Sequence, residues 1–359
     1  MKQAGCLWYN IMHTWMIELR FSQHPSDPCI YVWKNEDGII LAGIHVDNYI
    51  ITSCNNLGIS KFKDKLCQQW TISNLGEIKF YLGIAVTCNR ANKTISLSQT
   101  ALIDCILDTF SMKDCYPVST PMDHNQVLSW TPSRPFDDNN HTAFVKLPYQ
   151  SLVGSLMHLA IGSYPDISLP IQKLSQFLDC YTDIHYNAAL HLVHYLKETQ
   201  DLSLTLSGDN PTQLLGFSDA SYGMCPDTWR STSGYCFTLG LGIVSWVDRK
   251  QKTIAQSTMD AEYISALKRQ FGFVLSSAVL SSHLSIHPQS LPIIMVPTSW
   301  QKILHSTTKP NTLILNSMPF ANTLTMAISW LPMYPPTTTL LTSLQKPCHP
   351  NNLHTYKTL

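Results

Sequence analysis

The sequence predicts an α+β fold, and three observations lead to that class. Apolar residues recur at helical spacing over Tyr149–Ala160 and Asp183–Thr199, which predicts helices with one packed face. Short apolar runs at Cys29–Trp33 and Ile39–Ile44 flank the turn Lys34–Gly38, which predicts a hairpin. A later region predicts three strands followed by a helix. The chain thus combines helices with antiparallel strands.

That later region, residues 214–269, has the clearest pattern. Its three predicted strands, which form an antiparallel meander, are Leu214–Asp219, Ser233–Leu239 and Ile243–Val247. The helix that follows begins with Ser257-x-x-Asp260, the spacing of a capping box.

Two acids in this region are candidates for metal binding. Asp219 ends its strand on the same side as Leu215 and Phe217, because strand side chains alternate. Glu262 follows Met259 by three positions and flanks the apolar face of its helix. Carboxylates at such buried-side positions are costly unless compensated, and a hard cation such as Mg²⁺, which prefers oxygen ligands, would compensate both. On spacing alone, a pair of ordinary capped or hydrogen-bonded acids is the better explanation.

Several separated motifs occur in a fixed order here: SDA (218–220), RSTSGY (230–235), SW (245–246), KQ (250–251) and STMDAEY (257–263). Together they resemble the ribonuclease H domain of copia-type LTR retrotransposon polyproteins. The resemblance implies a mixed sheet flanked by helices, with Asp219 and Glu262 as catalytic, Mg²⁺-binding carboxylates. It also implies an RNA–DNA hybrid as the substrate.

The first 115 residues carry a second set of motifs: KQAG (2–5), SDPC (26–29), LGE (75–77) and YLGI (81–84), followed by STPM (119–122). They resemble the second half of a copia-type reverse transcriptase, which implies a partial palm and thumb acting on a template-primer. In that family a Tyr-Val-Asp-Asp-like hairpin turn carries a pair of metal-binding acids. His45 and Asn48 replace the first and last of these residues, so Asp47 is the remaining catalytic acid and Asn48 a weak metal ligand.

Polymerase activity is not expected from this chain alone. Two-metal phosphoryl transfer needs carboxylates that hold two cations about 4 Å apart, and Asn48 retains an oxygen but not the charge. The family's other catalytic aspartate belongs to a motif upstream of Lys2.

The motifs predict five segments: residues 1–115, a partial reverse transcriptase; 116–146, a proline-rich linker without a fixed fold; 147–205, a helical connection; 206–296, an incomplete ribonuclease H-like domain; and 297–359, an anomalous tail. No Asp or Glu occurs from Phe271 onward. Leu291–Val296 predicts a fourth, parallel strand, but Pro297 and Thr298 stand where the family has an Asp-Asn pair. We interpret the tail as out-of-frame translation after a frameshift near Met295; a disordered Pro/Thr tail is the alternative.

The composition limits the kinds of partner and metal site that the chain can have. Formal net charge is zero, so nucleic-acid binding depends on local clusters, and Arg230, Arg249, Lys250 and Lys252 are the candidate hybrid-backbone contacts. The eleven cysteines contain no C-x-x-C pair, which indicates an intracellular protein, cytoplasmic or nuclear, without a zinc or disulfide framework. His185, His191 and His194 lie on the last predicted helix, and the last two have a spacing that suits a metal. Without a third ligand, surface or lightly buried histidines are the better explanation. No apolar run has the length of a membrane span.

The expected function is therefore that of a retrotransposon polyprotein fragment, related to RNA-directed DNA polymerase and hybrid-specific ribonuclease but catalytically impaired. Other parts of the polyprotein are expected partners. The alternatives are a non-enzymatic nucleic-acid-binding module derived from the same element, and an unrelated cytosolic enzyme that shares the pattern.

Overall fold

The computed structural model describes residues 2–25, 27–35, 38–53, 55–123, 125–130, 147–208, 214–239, 242–266 and 342–345. The chain divides into two compact units. The first contains residues 1–81 together with the strand at 342–345, and the second contains residues 82–266 of the described chain. In the described residues no helix combines the length and apolar character needed to cross a bilayer.

The first unit is a helix-covered antiparallel sheet. Its elements before the unit boundary are α1 (Lys2–Glu18), β1 (Ser22–His24), β2 (Asp27–Asn35), β3 (Gly38–His45), β4 (Asn48–Ser53), α2 (Asn56–Gln69), β5 (Ser73–Glu77) and β6 (Phe80–Tyr81). The predicted hairpin around residues 34–38 is confirmed as β2 and β3. After α1, Arg20 turns the chain with a φ of 65°, and Ser22 then pairs with Val32.

The core of the first unit follows from the helical spacing of its apolar residues. Met12 and Met16 of α1 and Ile59, Phe62 and Leu66 of α2 are buried against the sheet, each set at intervals that place it on one helix face.

Part of the tail belongs to this sheet. Thr342–Gln345 forms β13, which lies between β4 and β5 and is antiparallel to both. The composition of residues 297–359 predicts no fixed fold, and for these four residues that prediction is wrong. Backbone pairing depends little on which side chains the strand carries, which is why the missing acids do not prevent it. The predicted strand at Leu291–Val296 lies outside the described residues.

The second unit contains two groups of strands and a helical cluster. Its main elements are β7 (Ile84–Asn89), β8 (Thr94–Ser98), α3 (Thr100–Thr109), α4 (Tyr149–Gly162), α5 (Ser168–Leu174), α6 (Asp183–Thr199), β9 (Leu204–Ser207), β10 (Leu214–Ser221), β11 (Thr232–Leu239) and β12 (Gly242–Lys250). Strands β7, β8 and β9 are neighbours and antiparallel. The predicted meander is confirmed, with β10 beside β11 and β11 beside β12.

The helices confirm the predicted connection with one exception. Helix α6 has the predicted bounds, and Leu192, Val193 and Leu196 are fully buried within the helical cluster. Between α4 and α6 the chain does not form one continuous helix, since two 3-10 turns flank α5. Pro170 has no N–H to donate to Asp166, so an α-helix cannot run through from Pro165.

The first part of the predicted linker is attached to α6. The side chain of His191 hydrogen-bonds to the Thr120 carbonyl at 3.0 Å, and that of His194 to the Tyr116 carbonyl at 2.6 Å. His191 and His194 are partly exposed, in line with the prediction, whereas His185 of the same helix is buried, so the prediction is wrong for that residue. The three-residue spacing of His191 and His194 places both on one face of the helix, where they hold the segment near 116–120. The expectation that this segment lacks a fixed fold is therefore wrong for these residues, and residues 131–146 lie outside the described chain.

Trp246 of β12 anchors the meander to helix α4. Its indole N–H donates to the Ala160 carbonyl at 2.8 Å, and the side chain is only 6% exposed. Ala160 lies in the last turn of α4, whose carbonyls have no partner within the helix. The tryptophan therefore satisfies a buried acceptor.

We expect Trp246→Phe to lower the free energy of unfolding by about 1–3 kcal/mol, because a buried carbonyl loses its donor. Urea unfolding followed by circular dichroism measures the change. Trp229→Phe, at a position 71% exposed, is the control and should change stability by less than about 0.5 kcal/mol. Equal effects of the two substitutions would contradict the anchoring role.

Candidate functional site

A short helix follows the meander and begins as predicted. Residues 258–266 are helical in the described chain. The Asp260 amide donates to Ser257 Oγ at 3.1 Å, and the Gln256 amide donates to Asp260 Oδ2 at 3.0 Å. This arrangement is a capping box with one difference. The Asp260 carboxylate accepts from the amide of Gln256 instead of from the amide of Ser257. The predicted N-terminus of the helix is confirmed.

Buried polar side chains fix this helix to the sheet. Gln251 Nε2 donates to Ser233 Oγ at 2.8 Å and to the Ala261 carbonyl at 2.9 Å. Ser265 Oγ donates to the Asp219 carbonyl at 2.9 Å. Because Ala261 is fully buried and small, the helix approaches closely enough for these bonds to form.

The docked helix brings Glu262 to strand β10. The Ala220 amide donates to Glu262 Oε1 at 3.2 Å. Burial raises the pKa of Glu262, the Ala220 amide lowers it, and the charge and hydrogen bond of Asp219 raise it further. The net pKa is raised, and its dependence on Asp219 indicates that the two carboxyl groups are close to each other. Asp219 and Glu262 thus form a single acid pair.

The burial expected for Asp219 is wrong. The residue is exposed, and Phe217 on the same side of β10 is 59% exposed. Strand β10 pairs only with β11 in the described part of the sheet. At such an edge a side chain remains in contact with water, so the Asp219 carboxyl group keeps more of its hydration than an acid in the core would.

A third acid in this sheet, Asp248, is missed by the sequence patterns. The register places Asp219, Gly234 and Asp248 opposite one another on β10, β11 and β12. Since Gly234 has no side chain, Asp248 Oδ1 occupies its space, only 2.7 Å from where a Cβ would lie. Burial raises the pKa of Asp248 to about 6. Two strand spacings, about 10 Å, separate the backbones of Asp248 and Asp219, and in the described residues Asp248 belongs to no group of three potential metal ligands.

The hairpin turn of the first unit carries Asp47. Val46 and Asp47 form a two-residue turn between the paired residues His45 and Asn48. Val46 has a φ of 55°, and its carbonyl accepts a hydrogen bond from the Trp8 indole at 2.6 Å. Asn48 Nδ2 donates to Asp47 Oδ1 at 3.4 Å, so the neighbour of the acid is a donor.

Comparison with known proteins places the chain in a family. The family model described as "Reverse transcriptase (RNA-dependent DNA polymerase)" matches residues 1–124. A retrovirus-related Pol polyprotein from transposon TNT 1-94 of Nicotiana tabacum is 33% identical over 269 residues, 74% of this chain and 20% of that protein. The Pol polyprotein from transposon RE2 of Arabidopsis thaliana is 30% identical over 263 residues, 73% of this chain and 17% of that protein. The chain belongs to the copia-type retrotransposon Pol polyproteins.

This Pol chain spans a fifth or less of the length of those two relatives. A putative transposon Ty5-1 protein of Saccharomyces cerevisiae is 28% identical over 271 residues, 74% of this chain and 84% of that protein. No solved structure matches the chain significantly. The Asp47 hairpin lies inside the reverse transcriptase match, whereas the acid pair lies beyond residue 124.

The Pol chain brings together two acids at one place and leaves Asp47 in a separate turn. In the described residues no group of three His, Cys, Asp or Glu side chains could hold a metal ion. Asp219 and Glu262 provide carboxylate oxygens, which suit Mg²⁺, and Mg²⁺ in proteins often uses only one or two carboxylates. The pair therefore fits one Mg²⁺.

The four basic side chains predicted to contact the nucleic-acid backbone differ in how exposed they are to solvent. Arg230, Arg249 and Lys252 are exposed. Lys250 is partly buried, and its Nζ donates to Gln176 Oε1 at 3.0 Å and to Cys225 Sγ at 2.7 Å. Two of its three ammonium donors therefore already have partners in the protein, and phosphate binding by Lys250 stays a prediction.

The raised pKa of Asp248 makes stability depend on pH. The folded chain disfavours the carboxylate relative to the unfolded chain, where the usual value of 3.8 applies. The contribution of the Asp248 proton to the free energy of unfolding is therefore fully present below roughly pH 4. It is lost as the pH rises through roughly pH 6. We expect Asp248→Asn to gain stability relative to the wild type on going from pH 4 to pH 7, as measured by urea unfolding. Asp201→Asn, at an exposed position, provides the background, and an unchanged difference for Asp248→Asn would contradict the assignment.

Proposed function

We propose that this retrotransposon polyprotein fragment contains, in residues 206–266, a ribonuclease H-like site that has been reduced to two acids. The site binds RNA–DNA hybrids but does not cut the RNA strand at an enzymatic rate. The observation that carries this proposal is the position of Glu262, which a polar-docked helix holds beside Asp219. The collinear motifs from SDA to STMDAEY support it.

Asp219 and Glu262 would hold one Mg²⁺. A bound Mg²⁺ supplies charge that stabilises phosphate oxygens and activates water for attack on a phosphodiester. The Ala220 amide orients the Glu262 carboxylate, and Ser265 fixes the strand backbone at Asp219. Without a cation, the raised pKa of Glu262 favours a proton on the pair.

Impairment follows from the number of acids. A two-metal centre needs carboxylates around two cations about 4 Å apart, whereas this pair offers enough for one. Asp248 lies two strands away in the register. In the first unit the only acid of the turn is Asp47, next to the neutral Asn48. We infer that neither polymerase nor nuclease chemistry proceeds at the rate of an intact site.

A non-enzymatic nucleic-acid-binding module is the second candidate function. It is favoured by exposed cations beside exposed aromatic rings in the second unit. Arg230 is next in sequence to Trp229, which is 71% exposed, and Trp130 is 54% exposed. Basic groups contact phosphates and aromatic rings stack on bases, so this surface suits a nucleic acid strand whether or not cleavage occurs.

We expect Asp219→Asn and Glu262→Gln each to weaken Mg²⁺ binding by at least about tenfold, because one of two anionic ligands is removed. Titration calorimetry measures the affinity. Asp260→Asn is the matched control on the same helix, since the asparagine side-chain oxygen can still accept from the Gln256 amide, and it should leave Mg²⁺ binding unchanged.

The same variants test for cleavage with a labelled RNA–DNA hybrid. Wild type and Asp219→Asn should show the same low background in Mg²⁺. Cleavage by the wild type that disappears in Asp219→Asn would contradict the proposed impairment and reveal a working nuclease.

Hybrid binding should depend on Arg249 but not on Lys250. Arg249 is exposed, so Arg249→Met should reduce the slope of log affinity against log salt by roughly 0.9 for each phosphate that the arginine neutralises. Lys250→Met should leave the slope unchanged, because its ammonium group faces Cys225 and Gln176. Fluorescence anisotropy over a salt series measures both slopes. A slope lowered by Lys250→Met alone would contradict the assignment.

A further inference from the structure

Cys225 lies in the turn between β10 and β11, outside the acid pair. Its backbone closes the turn, with the Cys225 amide bonded to the Arg230 carbonyl at 3.3 Å and the Trp229 amide bonded to the Cys225 carbonyl at 2.8 Å. Its sulfur accepts hydrogen bonds from Lys250 Nζ at 2.7 Å and from Thr228 Oγ1 at 3.1 Å. The thiol is thus surrounded by donors, one of them cationic.

Lys250 is held in this position from two further sides. Its Nζ donates to Gln176 Oε1 at 3.0 Å and lies 6.0 Å from the centre of the Trp130 ring. An ammonium group has three donors, and two of them are used by the sulfur and the glutamine. The cation therefore lies next to Cys225 as a fixed part of the fold.

These contacts favour the thiolate form of Cys225. Burial raises the pKa of the thiol, but hydrogen bonds from Lys250, from the Thr228 hydroxyl and from the amides of Thr228 and Asp227 outweigh it, so the pKa is lowered. The two oxygens of the nearby Asp227 carboxylate accept from the Trp130 amide at 3.1 Å each. By contrast, burial raises the pKa of Cys236 in the same sheet.

We propose that Cys225 is a covalent modification site, a thiolate held by Lys250 and Thr228 that reacts with small electrophiles of the hydroperoxide class. The sulfur lone pair attacks the terminal oxygen, an S–O bond forms and the O–O bond breaks. Sulfur is oxidised by two electrons to a sulfenic acid. The peroxide is reduced, and the leaving alkoxide, or hydroxide when the reagent is hydrogen peroxide, takes a proton from solvent to become an alcohol or water.

The surroundings suit a small reagent. Cys225 is half-buried, and its neighbours Met224 and Trp229 are exposed. Reactivity of a cysteine follows the thiolate fraction together with access, and both conditions are met at this turn.

The test uses the full chain and iodoacetamide, which alkylates thiolates as an S–C bond forms and iodide leaves. Peptide mass spectrometry gives the rate at each cysteine over a pH series. We expect the midpoint for Cys225 to lie below the value of about 8.5 for a free thiol. Lys250→Met should slow Cys225 alkylation at pH 7 by at least about fivefold, because the thiolate loses its cation. Lys250→Arg should retain most of the rate.

Cys236 reports on folding in the same experiment, since its alkylation stays slow while the sheet is intact. If Lys250→Met exposes Cys236, Thr228→Val provides the second test, and it should slow Cys225 by about twofold or more through loss of one donor. A Cys225 midpoint at or above 8.5 in the wild type overturns the proposal. So does an unchanged Cys225 rate in a folded Lys250→Met or Thr228→Val variant. Trapping of sulfenic acid at Cys225 after hydrogen peroxide treatment supports the oxidation step, and its absence at a reactive Cys225 overturns that step.

Discussion

The hydrogen bonds of Gln251 and Ser265 determine the geometry of the second unit's acid pair. Helix 258–266 buries few large apolar side chains on the sheet, and Met259 on this helix is 67% exposed. Its position is instead fixed by two side-chain donors that reach backbone carbonyls. Gln251, next to the sheet, donates to the Ala261 carbonyl of the helix, and Ser265 of the helix donates to the Asp219 carbonyl of β10. Bonds between buried partners are directional, so they fix the rotation of the helix as well as its distance. Glu262 reaches the Ala220 amide as a consequence of that rotation.

This arrangement explains why the acids can be close without a third partner. Asp219 keeps contact with water at the exposed strand, while Glu262 is partly desolvated and has a raised pKa. One proton or one divalent cation is enough to relieve the repulsion between them. The same reasoning applied to Asp248 gives a different result, because its neighbour across the strands is Gly234 and no anion lies opposite it. The sheet therefore contains one acid pair, Asp219 and Glu262, which can share a proton or a cation. It also contains one partly buried acid, Asp248, whose partner across the strands is a glycine.

Local patterns predict the elements of this chain better than its side-chain contacts. Alternation and turn residues are sufficient for β10, β11 and β12, and the capping residue Ser257 locates a helix start, because each signal lies within a few residues. The basic run around Lys250 predicts phosphate binding, but the partner of this lysine, Cys225, is 25 positions away. Asp248 escapes prediction for the same reason, since only the register reveals that a glycine leaves room for its carboxyl group. The partial exposure of His191 and His194 is in line with the prediction, but the carbonyls they bind and the burial of His185 cannot be identified from spacing.

Strand β13 shows that a segment of unusual composition can still form a regular strand. The tail lacks acids and is rich in proline, yet Thr342–Gln345 completes a ladder between β4 and β5, with Gln345 paired to Asn48 and to Ser73. Strand β4 would otherwise present unpaired backbone groups on the side away from β3, and exposed edges of that kind readily accept another strand. The pairing needs only a short extended segment with free amides, which proline-free residues 342–345 provide. Because β4 begins at Asn48, the same ladder that occupies this edge also fixes the base of the Asp47 turn, so the conformation of the polymerase-like hairpin depends on a segment near the opposite end of the chain.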